Sequence, residues 1–163
     1  MPFTTEPNSI ASIEVQQASS CQSVPAKNVL QRWAQAALAS DIPQPDLVIR
    51  VVDENESLAL NSQYRGKEAP TNVLSFPFDV PQGVELKHLG DLVICAGVVQ
   101  QEALQQGKPV EHHWAHMVVH GVLHLRGYDH LTEAQAGKME ALEKQILAEL
   151  GITDPYVARD TAV

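Results

Sequence analysis

The sequence predicts an α/β (α+β layered) fold in which helices cover a central mixed sheet. Three observations lead there. Short runs rich in β-branched residues alternate along the chain with longer stretches of helical periodicity. The 163 residues, 44% of them hydrophobic and 19% charged, suit one domain able to bury roughly 70% of its unfolded surface. No repeat, low-complexity tract or linker divides the chain, so residues 10–150 are expected to form one domain. A disordered start at 1–9 and a tail at 151–163 would flank it.

The elements follow in order. Ile10, Ile13 and Val15 alternate as a first strand. Pro25 opens a helix to about Ala39, with Val29, Leu30, Trp33 and Ala37 on one face. Residues 46–52 (DLVIRVV) read as a strand, and Asp53 is placed to cap the next helix, which ends near Gly66. Val73-Leu74-Ser75-Phe76 is a short strand stopped by Pro77. Leu92-Val93-Ile94-Cys95 is another, followed by a helix through Val98, Val99 and Leu104 to Gly107. Pro109 starts the longest helix, running to about Leu125, and Gly127 breaks it. Thr132 caps a last amphipathic helix whose Met139, Leu142, Ile146 and Leu150 share a face.

Composition bounds the function. The longest apolar runs fall short of the roughly 18 residues of a membrane span, so no membrane role is expected. The start, MPFTTEP, lacks the basic and apolar stretches of a secretory signal. Cys21 and Cys95 read as two reduced thiols, and the expected location is cytoplasmic. The net charge of −9 comes without any run of Lys and Arg. That argues against non-specific nucleic-acid binding, and no DNA partner is expected. A local site built from a few cations and a bound metal ion remains open.

Six of the seven histidines fall between Glu111 and His130. His120 and His124 stand four apart, on one side of a helix and within reach of one ion. Gly127 allows a turn that a side chain would resist, and this turn can swing His130 back as a third ligand. Three imidazoles with one open position describe a catalytic zinc, because structural zinc sites close all four. One Zn2+ per chain is expected, lowering the pKa of its water toward about 7. Asp129 is either an acceptor behind one ring or a turn residue. His116, one turn before His120, either lines the pocket or is a satisfied helix histidine. His112 and His113 are expected to face solvent, and His88 to lie in a loop.

Metzincin zinc proteases share the spacing H-x3-H-x2-G-x2-H. They place a Glu after the first His as the base that takes a proton from the zinc water. Here that position is Gly121. Without that carboxylate the ligand cage persists while the proteolytic mechanism loses its base.

The stretch from His120 to His130, H-G-V-L-H-L-R-G-Y-D-H, resembles the H-G-x-L-H-L-x-G-Y-D-H signature of the YbeY family of single-strand endoribonucleases. Tyr64-Arg65-Gly66-Lys67, residues 70–77 (PTNVLSFP) and residues 90–95 (GDLVIC) are similar to the family's other stretches, in the same order. The likeness spans about residues 46–156. Ala96-Gly97 and Arg126 depart from the family pattern, at positions expected on the surface.

The resemblance implies a metal helix packed on the sheet beside a cleft, and hydrolysis of phosphodiester bonds in unpaired RNA. It implies roles in ribosomal RNA processing (16S rRNA 3′-end maturation) and ribosome quality control, with the ribosome or a ribosome-associated protein as partner. Arg65 and the zinc-holding His120 are the residues it places at the reaction. A guanidinium can grip two non-bridging oxygens as their charge grows. By position alone Arg65 is an ordinary cation at a helix C-terminus. Thr71, Asn72 and Ser75 either line the cleft or shape a loop and an edge strand. A zinc hydrolase of another substrate and a non-catalytic, zinc-containing ribosome-assembly factor are the alternatives.

Overall fold

The computed structural model describes residues 13–38, 46–77, 88–129, 131–152 and 155. The elements run β1 (Ile13–Gln17), α1 (Lys27–Ala37), β2 (Asp46–Val52), α2 (Glu54–Arg65), β3 (Val73–Pro77), β4 (His88–Cys95), α3 (Ala96–Gln106), α4 (Val110–Leu125) and α5 (Glu133–Glu149). The strands form one mixed sheet in the order β1-β2-β4-β3, parallel except where β3 runs antiparallel to β4 at the edge. The α/β layered fold expected from the alternating pattern is present. Ile10 and Ala39 lie outside the described residues, as does the start at 1–9.

Alternation along the strands separates two cores. Leu47, Ile49 and Val51 of β2 and Leu92 and Ile94 of β4 face the larger core, with α1 and α4. Leu74, Val93 and Cys95 face the smaller one, where Leu60 of α2 and Val98 of α3 pack. Helix α4 touches α1, α3, α5, β3 and β4. Almost all its residues from His113 to Leu125 are buried, as expected of a helix apolar on most sides.

Gly121 is what lets α4 lie this close to the sheet. A Cβ there would come 2.7 Å from Leu92 Cδ2 and 3.3 Å from Val73 Cγ2. Leu92 is fully buried and has nowhere to retreat. The position that carries Glu in the proteases therefore points at the sheet here, not at the cleft.

Several local expectations change in three dimensions. His88 begins β4 and is not in a loop. Asp53 makes no capping bond; its carboxylate instead accepts from Ser19 Oγ (2.6 Å), Ser20 Oγ (3.0 Å) and the Ser20 amide (3.1 Å). These bonds hold its pKa below the usual carboxylate value, and they tie the segment after β1 to the start of α2. Ala96 is buried, not superficial, and a Cβ on Gly97 would run into the Glu54 carboxylate. Arg126 is half-buried, donating from Nη1 to the Ala37 carbonyl at 2.7 Å and so joining the ends of α4 and α1. Ile152, placed beyond the domain by its sequence position, is buried against the main core. Thr132 does cap α5, through a reciprocal pair with Gln135. Cys21 and Cys95 are free thiols, and burial pushes the Cys95 thiol up.

Replacing Gly121 by Ala overfills the contact between α4 and the sheet. Overpacking typically costs about 1–3 kcal/mol, partly offset by the better helix propensity of Ala. Urea unfolding of Gly121→Ala is expected to show a lower midpoint at unchanged slope. Gly121→Glu, which forces a carboxylate against Leu92, is expected to fall much further.

Candidate metal centre and cleft

The histidines of α4 are not a solvent-facing stripe. His112, His116, His120 and His124 recur every fourth residue and so lie along one row of the helix. His116 is buried; His120 and His124 are half-buried, with ring centroids 5.0 Å apart. His113, expected to face solvent, is buried at 3% exposure because its row points into the interior.

The deciding partner is Glu143 of α5, a carboxylate with no exposed surface. Its Oε2 lies 2.5 Å from His120 Nδ1 and its Oε1 lies 3.2 Å from His116 Nε2. An ionised carboxylate only accepts, so each of these ring nitrogens carries the hydrogen. In the neutral imidazole of His120, a hydrogen on Nδ1 leaves Nε2 as the nitrogen that can bind metal. Burial holds the pKa of His116 below its ordinary value, although Glu143 pulls the other way. Sequence reasoning missed Glu143. The available signal was a lone acid four residues after Met139 and three before Ile146, inside the apolar face of α5.

A second pair, buried His113 with half-buried Glu102, supports the cleft wall. His113 Nε2 donates to Glu102 Oε1 at 2.8 Å, and Asn72 Nδ2 donates to the same carboxylate at 3.0 Å. Burial alone would raise the pKa of Glu102, but these hydrogen bonds outweigh it and hold it below the usual value.

The row of histidines opens into a cavity of about 490 Å3 whose walls include Arg65, Asn72, Ser75, His120, His124 and Asp129. Arg65 is the last residue of α2; Gly66 follows in the left-handed conformation (φ 68°) and turns the chain away. The Arg65 guanidinium donates from Nη2 to the Ser75 carbonyl at 3.4 Å. Ser75 Oγ donates in turn to the Gly121 carbonyl at 3.3 Å. Asn72 and Ser75 thus both line the cleft and shape it. Thr71 acts through its backbone, whose N–H and C=O both bond Ser57 Oγ. Gly127 has a φ of 102°, the conformation expected for the exit from α4. His130 lies outside the described residues.

Two donor sets share His120. His116, His120 and Glu143 could hold a metal ion, their ligand atoms all lying within 4.8 Å of one another. His120 and His124 form the second set, at the cleft surface.

A family model described as endoribonuclease YbeY matches residues 12–151. The chain belongs to the YbeY family. Within it, the protein named endoribonuclease YbeY from Methylococcus capsulatus (strain Bath) is 60% identical over 140 residues, covering 86% of this chain and 92% of that relative. The solution structure of TM1509 from Thermotoga maritima shares the fold at 23% identity. Its TM-score is 0.54, with coverage of 88% of this chain and 99% of that one. The YbeY match takes in every residue that builds the cleft, together with Glu102, Glu143 and the position of His130.

Two outcomes test these acids. Glu143→Ala takes this acceptor from buried His116 and half-buried His120 and is expected to cost about 3–5 kcal/mol in denaturant unfolding, the usual result of removing one member of a buried pair. Glu102 titrates lower when folded than unfolded, so it stabilises the fold above its unfolded pKa and ceases to as pH falls through the folded value. Stability measured from pH 6 to pH 3 is expected to fall less steeply in Glu102→Gln than in the native chain.

Proposed function

We propose that this chain is a zinc-dependent, single-strand-specific endoribonuclease of the cytoplasm. It hydrolyses RNA phosphodiester bonds in 16S rRNA 3′-end maturation and ribosome quality control. One observation carries the reading: a single cleft brings the Arg65 guanidinium to the same walls as His120 and His124. Membership of the YbeY family, and the name of the Methylococcus relative, point to RNA as the substrate.

The donor chemistry suits zinc. His120 and His124 offer imidazoles from adjacent turns, and Glu143 sets the tautomer of the first, as carboxylates behind zinc-bound histidines do. His130 would be the third ligand, with one position left open. When bound, zinc supplies a Lewis acid and lowers the pKa of water to near neutrality. The chain's own residues do the rest. Arg65, tethered at the Ser75 carbonyl, grips non-bridging phosphate oxygens as negative charge builds on them. Asn72 and Ser75 line the same cleft as the histidines. Asp129 lines the same cleft, as an acceptor behind a ligand ring or as a turn residue. The net charge of −9 favours delivery to RNA by the ribosome or a ribosome-associated protein over capture by a basic surface.

A second reading has the ion held inside the protein by His116, His120 and Glu143. That position is closed to substrate, as in a structural metal site, and suits a non-catalytic ribosome-assembly factor. The two differ in which histidine is dispensable. The cleft reading expects His124→Ala to lose stoichiometric zinc and His116→Ala to keep it; the interior reading expects the reverse. The native chain is expected to cut unstructured RNA, to stop when chelated, and to leave casein intact. Arg65→Ala is expected to keep zinc and melting temperature while losing roughly 10²-fold in cleavage, typical of one preorganised donor. Arg65→Lys restores only part of it. Proteolysis without RNA cleavage, or undiminished cleavage by Arg65→Ala, contradicts the assignment.

A further inference from the structure

Strand β3 lies at the sheet edge, among the described residues, and presents different residues to its two faces. Val73, Ser75 and Pro77 line the cleft, whereas Leu74 and Phe76 pack on the α2 side. The end of α2 meets this edge at two consecutive residues. Arg65 bonds the Ser75 carbonyl, and the Tyr64 ring packs edge-on against Phe76, centroids 5.3 Å apart at 72°. Tyr64 remains 57% exposed. Beside the pair is a second cavity of about 460 Å3, whose walls include Arg50, Glu56, Leu60, Tyr64, Phe76 and Asp91.

The chemistry of that cavity selects its occupant. Arg50 is already neutralised by Glu56, with contacts of 2.6 and 3.1 Å, and Asp91 adds a further carboxylate. A phosphate is disfavoured there. An unpaired base suits it, with an uncharged π-face for the aromatic pair. Because Tyr64 and Arg65 are chain neighbours at the same edge, a strand whose phosphate sits at Arg65 can cross β3 and lay its next base on Tyr64. We propose that Tyr64, backed by Phe76, is a stacking platform for an RNA base flanking the scissile phosphate. This subsite rests on the endoribonuclease reading above and adds to it where the substrate strand runs.

The test is steady-state cleavage of an unstructured RNA oligonucleotide by the zinc-loaded native chain, Tyr64→Phe, Tyr64→Leu and Tyr64→Ala. Oligonucleotides made abasic at one position at a time are cut in parallel. Tyr64→Ala and Tyr64→Leu are expected to raise KM roughly tenfold, the scale of one lost base–aromatic stack, with kcat little changed. Tyr64→Phe keeps the π-face and is expected to retain native KM. An RNA abasic at one flanking position is expected to show the same loss with the native chain and no further loss with Tyr64→Ala. Tyr64→Leu preserves apolar bulk against Phe76, so it carries the test if Tyr64→Ala lowers the melting temperature. An unchanged KM in Tyr64→Leu, equal losses in Tyr64→Phe, or losses independent of the abasic position overturn the subsite while leaving the nuclease reading in place. A native chain that leaves RNA intact overturns both.

Discussion

Helix α4 is buried on nearly every side and still carries a row of histidines, and the rest of the structure accommodates that conflict. Buried imidazoles without partners would cost several kcal/mol. The surrounding elements therefore supply carboxylates at the points where the helix has no access to water. Glu143 reaches in from α5 to His116 and His120, and Glu102 reaches from α3 to His113. Beyond the buried His116, the row opens to the cleft at His120 and His124. The packing of two helices against α4 and the orientation of the candidate ligands are thus one problem with one solution.

The same packing explains why a histidine spacing shared with the zinc proteases does not carry their base. Gly121 sits where α4 presses on Leu92 and Val73, so the position is sterically reserved for a residue without a side chain. Under the proposed function, charge complementarity to substrate comes from elsewhere, by way of Arg65 at the end of α2. Its tether to the edge strand, and that strand's tether to the Gly121 carbonyl, link the sheet, α2 and α4 around a single cavity. An acidic protein can in this way place an arginine beside a row of histidines without a basic surface.

Much of the fold was legible because local rules agreed with the global arrangement. The apolar alternation of β2, the left-handed glycine after α2 and the Thr132 capping box are encoded in contiguous residues. Errors fell where a residue's partner is remote in sequence. Asp53 looks like a helix cap, yet Ser19 and Ser20 claim its carboxylate from the segment after β1. His113 looks exposed beside Glu111 and His112, yet the rotation of α4 turns it inward to Glu102. Arg126 looks like a surface substitution, yet the end of α1 offers it a carbonyl.

The sequence by itself determined the family, the histidine spacing on α4, the glycine exit from that helix and the absence of a protease base, since each is carried by a short contiguous run. Only the tertiary structure decided that Glu143 stands behind His120, that Gly121 is a packing requirement, and that Arg65 shares a cavity with the histidines. Those facts depend on which helix faces lie against one another. Periodicity shows that a helix has an apolar face, but not which buried acid on a neighbouring helix will meet it.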